Sequence, residues 1–350
     1  MIYENVELHN VDHIYRHKNI EGVLLGRIPE SVSKNLSSAG QMMMVCPSGS
    51  EIRFVSETYP VRLTLSVDKI SEHLGEGVIT EAHVFFGVFQ SRQRFVIKKR
   101  KTVLNILMPP DFDEMASRVG AAPFSPRVCR VRLWGSMMGA PVRFHHVEAE
   151  GKVRPPVPEE LPRIRYLAYG SSLAQGAYAS GPHLCYVSLT GQKLGADAIN
   201  LGSSCSAFCE PAMADYIAGR KDWNFATLAL SVNMVKSFSP EEFSERVSYM
   251  IDTVAKSDPR RPVFCITIKP FIGDYVGSIK PELFRRLLRE AVGKSGRENV
   301  YLIEGKELMP DVAAGLSTDL VHLGDYGMIQ IAENLVRKMT PILKKHELSA

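Results

Sequence analysis

The segment Tyr169-Gly170-Ser171-Ser172-Leu173-Ala174-Gln175-Gly176 follows directly on the apolar run Ile164–Ala168. A short buried strand that turns through small residues into a helix is where α/β proteins lift a reactive side chain into a cleft. Ser172 is the hydroxyl that such a turn presents. Far along the chain, Asp319-Leu320-Val321-His322 holds a carboxylate and an imidazole close enough to pair within one tight turn. Serine, histidine and aspartate are the parts of a nucleophilic relay. The imidazole takes the hydroxyl proton and returns it to the leaving group, and the carboxylate fixes the ring tautomer. An unperturbed imidazole, with a pKa of about 6.5, suits both steps near neutrality. Asp325 is the rival carboxylate, but it also reads as the first-turn acid of a closing helix.

Two further strand ends lie between these pieces. Asn200-Leu201-Gly202-Ser203-Ser204 follows the strand-like Ala196–Ile199, and Leu230-Ser231-Val232-Asn233-Met234 follows the apolar run Phe225–Leu230. A tetrahedral acyl intermediate needs N–H donors for its oxyanion. The backbone N–H groups of Ser172 and Gly202 and the side-chain amide of Asn233 are the candidates. Glycine at 202 would let a substrate approach the backbone closely.

Taken in order, Ser172, Gly202, Asn233 and Asp319/His322 resemble the four blocks of the SGNH (GDSL-type) hydrolase superfamily, over about residues 162–345. Ser171 stands where that family usually has aspartate, Leu323 where proline often follows the histidine, and Ser231 and Met234 flank Asn233. The resemblance implies a flavodoxin-like three-layer α/β domain and hydrolysis of a carboxylic ester through an acyl-serine. It implies no metal and no organic cofactor. The implied substrate is a small-molecule ester, a short acyl group on a carbohydrate or other small alcohol. An acyltransferase built on the same residues is one rival reading. A carbohydrate-binding protein with an inert α/β domain is another.

The chain has 350 residues, enough for two cores. Its 42 basic and 38 acidic residues leave a net charge of +4, too balanced to argue for a nucleic-acid partner. No apolar stretch approaches the roughly 20 residues that span a bilayer. The first residues show no basic and apolar leader pattern, and the six cysteines show no metal or disulfide spacing. These features suggest a cytoplasmic protein without a membrane partner; oligomeric state is not readable. Cys205 and Cys209 read as structural. His9, His13 and His17 would align on one face if their segment were helical, but nothing nearby completes a metal site. Lys98-Lys99-Arg100-Lys101 reads as a solvated hairpin turn. Gly293-Lys294-Ser295 lacks the earlier glycine and the preceding strand of a phosphate-binding loop.

The elements that must position the relay follow a change of pattern. Val61, Leu63, Leu65 and Val67 alternate with polar residues, as in a half-buried strand. Val84–Phe89, Phe95–Ile97, Val103–Met108, Cys129–Leu133 and Val142–Val147 are further β-prone runs. Together they predict an all-β, jelly-roll-like sandwich over residues 1–155. Pro155, Pro156, Pro158 and Pro162 then mark a stiff linker. From residue 163 to 350, strands near 164–169, 196–201, 225–231, 263–268 and 299–304 alternate with helices near 240–256, 281–293 and 326–344. That alternation predicts a parallel sheet covered on both faces, with ligands at the carboxyl ends of its strands.

Overall fold

A computed structural model describes residues 1–68, 79–120, 122–135, 139–230 and 232–348. Ser231, one flank of the Asn233 block, lies outside the described residues. The chain divides into two compact units: Met1–Glu30 with Met44–Arg163, and Ser31–Met43 with Ile164–Ala350. The first thus runs a little past the expected linker, and residues 31–43, expected in it, belong to the second.

In the first unit all strand pairing is antiparallel. One sheet holds β1 (Ile2–Tyr3), β2 (Val6–His9), β5 (Glu51–Ser56), β7 (Thr80–Phe86), β8 (Phe89–Val96), β10 (Cys129–Gly135) and β12 (Val153–Arg154). The other holds β3 (His13–Tyr15), β4 (Val23–Gly26), β6 (Val61–Val67), β9 (Thr102–Ile106) and β11 (Val142–Glu148). Ile52, Phe54, Val84 and Val131 from one sheet and Leu63, Leu65, Leu104 and Phe144 from the other share one buried apolar cluster, the core of a β-sandwich.

Four local expectations change. Thr64 and Ser66 of β6 are buried with the apolar face, because His146 and His145 of β11 hydrogen-bond to their hydroxyls. The run Val84–Phe89 is two strands, since Gly87 at φ +59° turns the chain between β7 and β8. The basic run 98–101 joins β8 to β9, which lie in different sheets, so it is a crossover and not a hairpin. His9 and His13 sit on β2 and β3, so the histidine row has no common helix face. The proline-rich segment is braced by Arg154, whose two terminal nitrogens each reach a Glu160 carboxylate oxygen at 2.8 Å.

The second unit is α/β. Its parallel strands β13 (Arg165–Gly170), β14 (Asp197–Gly202), β15 (Phe225–Ala229), β16 (Val263–Ile266) and β17 (Val300–Ile303) lie in the order β14-β13-β15-β16-β17. Besides α1 (Glu30–Ser33) and α2 (Ser38–Val45), which span the division, and α3 (Phe112–Val119) of the first unit, the helices all belong here. They are α4 (Ser172–Gln175), α5 (Tyr186–Lys193), α6 (Pro211–Gly219), α7 (Pro240–Lys256), α8 (Lys280–Ser295), α9 (Gly305–Leu308), α10 (Val312–Gly315) and α11 (Asp325–Lys345). Tyr166, Ala168, Phe225 and Phe264 pack with Tyr186, Val187, Met328, Ile331 and Leu335 of α5 and α11. Alternate strand residues such as Leu167, Leu228 and Cys265 point to the other face, where α7 and α8 pack together through Phe243 and Phe284. Burial on both faces explains why the strands read as short continuous apolar runs. Ser239 caps α7, its hydroxyl accepting from the Glu242 N–H while the Glu242 carboxylate accepts from the Ser239 N–H.

Candidate active site

Ser172 stands at the carboxyl end of β13, as the first residue of α4. A Cβ at Gly170 would lie 3.0 Å from Ala229 Cβ and 3.1 Å from Ala174 Cβ, so a side chain at the strand end would crowd α4 and β15. Gly176 closes α4 at φ +100°, a conformation that L side chains rarely adopt. His322 comes from the loop after α10. Leu316 and Leu323 pair across that loop, and the Ser317 N–H donates to the His322 carbonyl at 2.9 Å. Asp319 and His322 are thereby folded onto one another. The Asp319 Oδ2 to His322 Nδ1 distance is 2.6 Å, and His322 Nε2 lies 2.9 Å from Ser172 Oγ. With the ring proton on Nδ1, donated to the carboxylate, Nε2 is the acceptor for the serine hydroxyl.

The carboxylate is set by its own loop. Asp319 Oδ1 accepts from the N–H groups of His322 (2.8 Å) and Val321 (2.9 Å) and from Ser317 Oγ (2.8 Å). Burial opposes ionisation, but these bonds and the one to the imidazole outweigh it and hold the carboxyl well below the usual aspartate range. Asp325 is occupied elsewhere. It begins α11 and accepts from the Ser180 N–H at 2.8 Å and from the Ser180 hydroxyl.

Ser172 and His322 open into a cleft of about 690 Å³ whose walls include Cys205, Phe208, Val232, Asn233, Phe271, Ile272, Lys236 and Lys280. Asn233 stands where its amide was expected. Its Oδ1 accepts from the Ala207 N–H at 3.2 Å, and its Nδ2 has no protein partner among the described residues. Gly202 departs from expectation. Its N–H donates to Asn200 Oδ1 at 2.8 Å, and it does not line the cleft. The glycine has a packing cause instead: a Cβ there would fall 2.2 Å from Gln175 N and 2.5 Å from the Ala174 carbonyl carbon. Asn200 completes this junction by donating from Nδ2 to the Ala174 carbonyl at 2.6 Å. Three residues beyond Gly202, Cys205 does line the cleft. It is exposed, at φ +55°, and its backbone N–H makes no hydrogen bond among the described residues. The Ser172 N–H, at the first turn of α4, is equally uncommitted.

The GDSL-like lipase/acylhydrolase family model matches residues 164–340, just over half of the chain. This chain belongs to that family.

Solved structures agree on the fold of this GDSL-like hydrolase across both units. A GDSL-like lipase from Bacteroides ovatus ATCC 8483 is 18% identical, with 91% of this chain and 92% of that one covered at a TM-score of 0.68. The salicylyl-acyltransferase SsfX3 from a tetracycline biosynthetic pathway is 14% identical, with 97% and 95% covered and a TM-score of 0.77. The acetyl xylan esterase Est2A from the rumen bacterium Butyrivibrio proteoclasticus is 12% identical, with 98% and 97% covered and a TM-score of 0.60. No curated protein matches the chain in sequence.

Sequence reasoning missed two features of the hydrolase's site. Cys205, read as structural, is in the cleft wall, whereas Cys209 is fully buried with its thiol pushed up by desolvation. Tyr178, not singled out, stacks on His322. The Ser-Ser-Cys-Ser run after Gly202, small residues in a loop past a strand end, was the available signal for Cys205. No group of histidine, cysteine and carboxylate side chains able to hold a metal exists among the described residues, and no helix among them is long and apolar enough to cross a membrane.

Proposed function

We propose that this hydrolase is a serine esterase whose relay is Ser172, His322 and Asp319. The observation that carries the reading is the unbroken chain Asp319 Oδ2–His322 Nδ1 (2.6 Å) and His322 Nε2–Ser172 Oγ (2.9 Å). His322 takes the Ser172 proton as Oγ attacks the ester carbonyl. The tetrahedral oxyanion is held by the Asn233 amide and by the N–H groups of Ser172 and Cys205, three donors with no protein partner among the described residues. His322 then protonates the leaving alcohol, and water, deprotonated by the same ring, releases the acid. No step calls on a metal or cofactor.

A short acyl group on a carbohydrate or other small alcohol is the proposed substrate, on the analogy of the carbohydrate esterases that share this fold. Residues 163–350, with 31–43, form the catalytic unit and the rest of residues 1–155 an accessory sandwich. Six free cysteines fit a reducing, cytoplasmic setting. The intact relay speaks against an inert binding module. Reaction with a fluorophosphonate tests the reading: labelling of Ser172, and loss of both labelling and p-nitrophenyl acetate turnover in Ser172→Ala, are expected. Unchanged turnover in that variant would end it. Incubation with candidate alcohols separates the acyltransferase reading, which expects ester instead of free acid as product.

A further inference from the structure

Lys269 lies just past β16 and is nearly buried, 7% exposed, beneath the loop that carries the base. An ammonium so placed is expensive unless its donors are answered. Here Nζ donates to the Val321 carbonyl at 2.7 Å and the Pro270 carbonyl at 3.1 Å. The Val321 carbonyl belongs to the peptide bond that leads into His322. Lys269 is itself held from behind. Arg285, fully buried, donates from Nε to the Ile268 carbonyl (2.8 Å) and from Nη2 to the Lys269 carbonyl (3.2 Å), while Asp274 binds the same guanidinium at 2.5 and 2.8 Å. The Ile272 N–H donates to the Leu320 carbonyl at 2.8 Å, a second tie to the same loop.

We propose that the Lys269 ammonium is a positioning residue for the base: by gripping the Val321 carbonyl it fixes where the His322 imidazole stands between Asp319 and Ser172. This rests on the relay reading above. The groups facing Lys269 are Asp319 in the base loop, Asp274 in the turn before α8, Arg285 on α8, and, beside its neighbour Thr267, Glu304. Burial lowers the Lys269 pKa to about 7, with Arg285 adding to the fall and the two aspartates opposing it. The grip, charge-assisted while Lys269 is protonated, therefore weakens as pH rises through neutrality.

Wild type, Lys269→Met and Lys269→Arg are compared at about pH 6.5 and about pH 9. The readouts are kcat and KM on p-nitrophenyl acetate, the rate of fluorophosphonate labelling, and the NMR resonance of the His322 Nδ1 proton. Lys269→Met is expected to lower kcat and labelling rate together by about 10- to 100-fold, the scale of a misplaced reacting group. KM should move by less than about two-fold, and the His322 resonance should broaden. Lys269→Arg, charged at both pH values, is expected to lack the alkaline decline expected of wild type. A folded Lys269→Met with wild-type kcat, labelling and resonance overturns the proposal, as does an alkaline decline that survives in Lys269→Arg. If Lys269→Met does not fold, wild type decides: a resonance and labelling rate that stay flat between the two pH values overturn it, and their parallel fall supports it. Failure of wild type to label at all sinks the relay reading instead, and the resonance still reports whether Lys269 holds the ring.

Discussion

The Tyr178 ring lies flat against the His322 imidazole, with centroids 5.0 Å apart and planes 10° apart. The chain leaves α4 through Gly176 and places Tyr178 at φ +67°, a left-handed backbone rarely taken by an aromatic residue. This offset stacking holds the plane of the imidazole and leaves both nitrogens free at its edge, one for Asp319 and one for Ser172. Such ring pairs contribute about 0.5–1.5 kcal/mol. Tyr178→Ala is therefore expected to lower kcat by about two- to twelve-fold with little change in thermal stability, and Tyr178→Phe to stay close to wild type. Equal losses in the two variants would mean that the phenol hydroxyl matters and the stacking does not.

Asp319 and Asp325 give opposite expectations. Asp319→Asn should cost up to about 10⁴ in kcat by favouring the wrong tautomer of His322. Asp325→Asn should leave kcat within a few-fold, because Asp325, at the start of α11, spends its bonds on Ser180. Steady-state kinetics on the two purified variants settle the matter, and a comparable loss in both would contradict the loop geometry.

Asn233 and Gly202 separate chemistry from packing. Asn233→Ala removes the proposed oxyanion donor and is expected to lower kcat by about 10²–10³ while leaving KM and melting temperature near wild type. Gly202→Ala would drive a methyl into the α4 backbone, so its first effect is on folding. A Gly202→Ala protein that melts like wild type but has lost its rate would restore the expected oxyanion role of that glycine.

The pH dependence follows from the direction of the Asp319 shift. A carboxyl held below its unfolded value contributes stability that is fully present above about pH 3.9, the ordinary aspartate value. That contribution is lost as pH falls further, through the folded value. Between neutrality and about pH 4 the carboxylate stays ionised, so Asp319 itself should add no protonation step to the acid limb of kcat/KM. Chemical denaturation across that range checks it: wild type should lose stability below about pH 4 that Asp319→Asn does not lose, and equal curves for the two would contradict it.

The α/β unit was legible because its inner strands β13, β15 and β16 are buried on both faces. Each appears as a short apolar run, and Ser172, Asn233 and His322 fall just past strand ends or in the last loop. The long helices α7, α8 and α11 announce themselves by cap or amphipathic pattern, whereas α5, with Gly191 inside it, and the short α6 do not. Two kinds of information were invisible. Whether Gly202 offers its N–H or spends it depends on Asn200 folding back two residues, which no spacing reveals. Lys269 looks like any lysine after a strand, and only the fold puts its ammonium under the base loop. In the first unit, strands of two to four residues such as β1–β4 are too short for alternation to register.

Ser172 and His322 meet across 150 residues of chain. Ser172 follows β13, an inner strand of the sheet, as soon as that strand ends, but His322 arrives only with the loop ahead of α11. During synthesis the serine therefore waits, exposed to no base, while four more strands and most of the helices are made and docked. The reactive state is switched on by completion of the fold itself, since every shorter folding intermediate has the hydroxyl without the imidazole. Recovery of esterase activity should accordingly mark the closing event of refolding, trailing the return of helical circular dichroism.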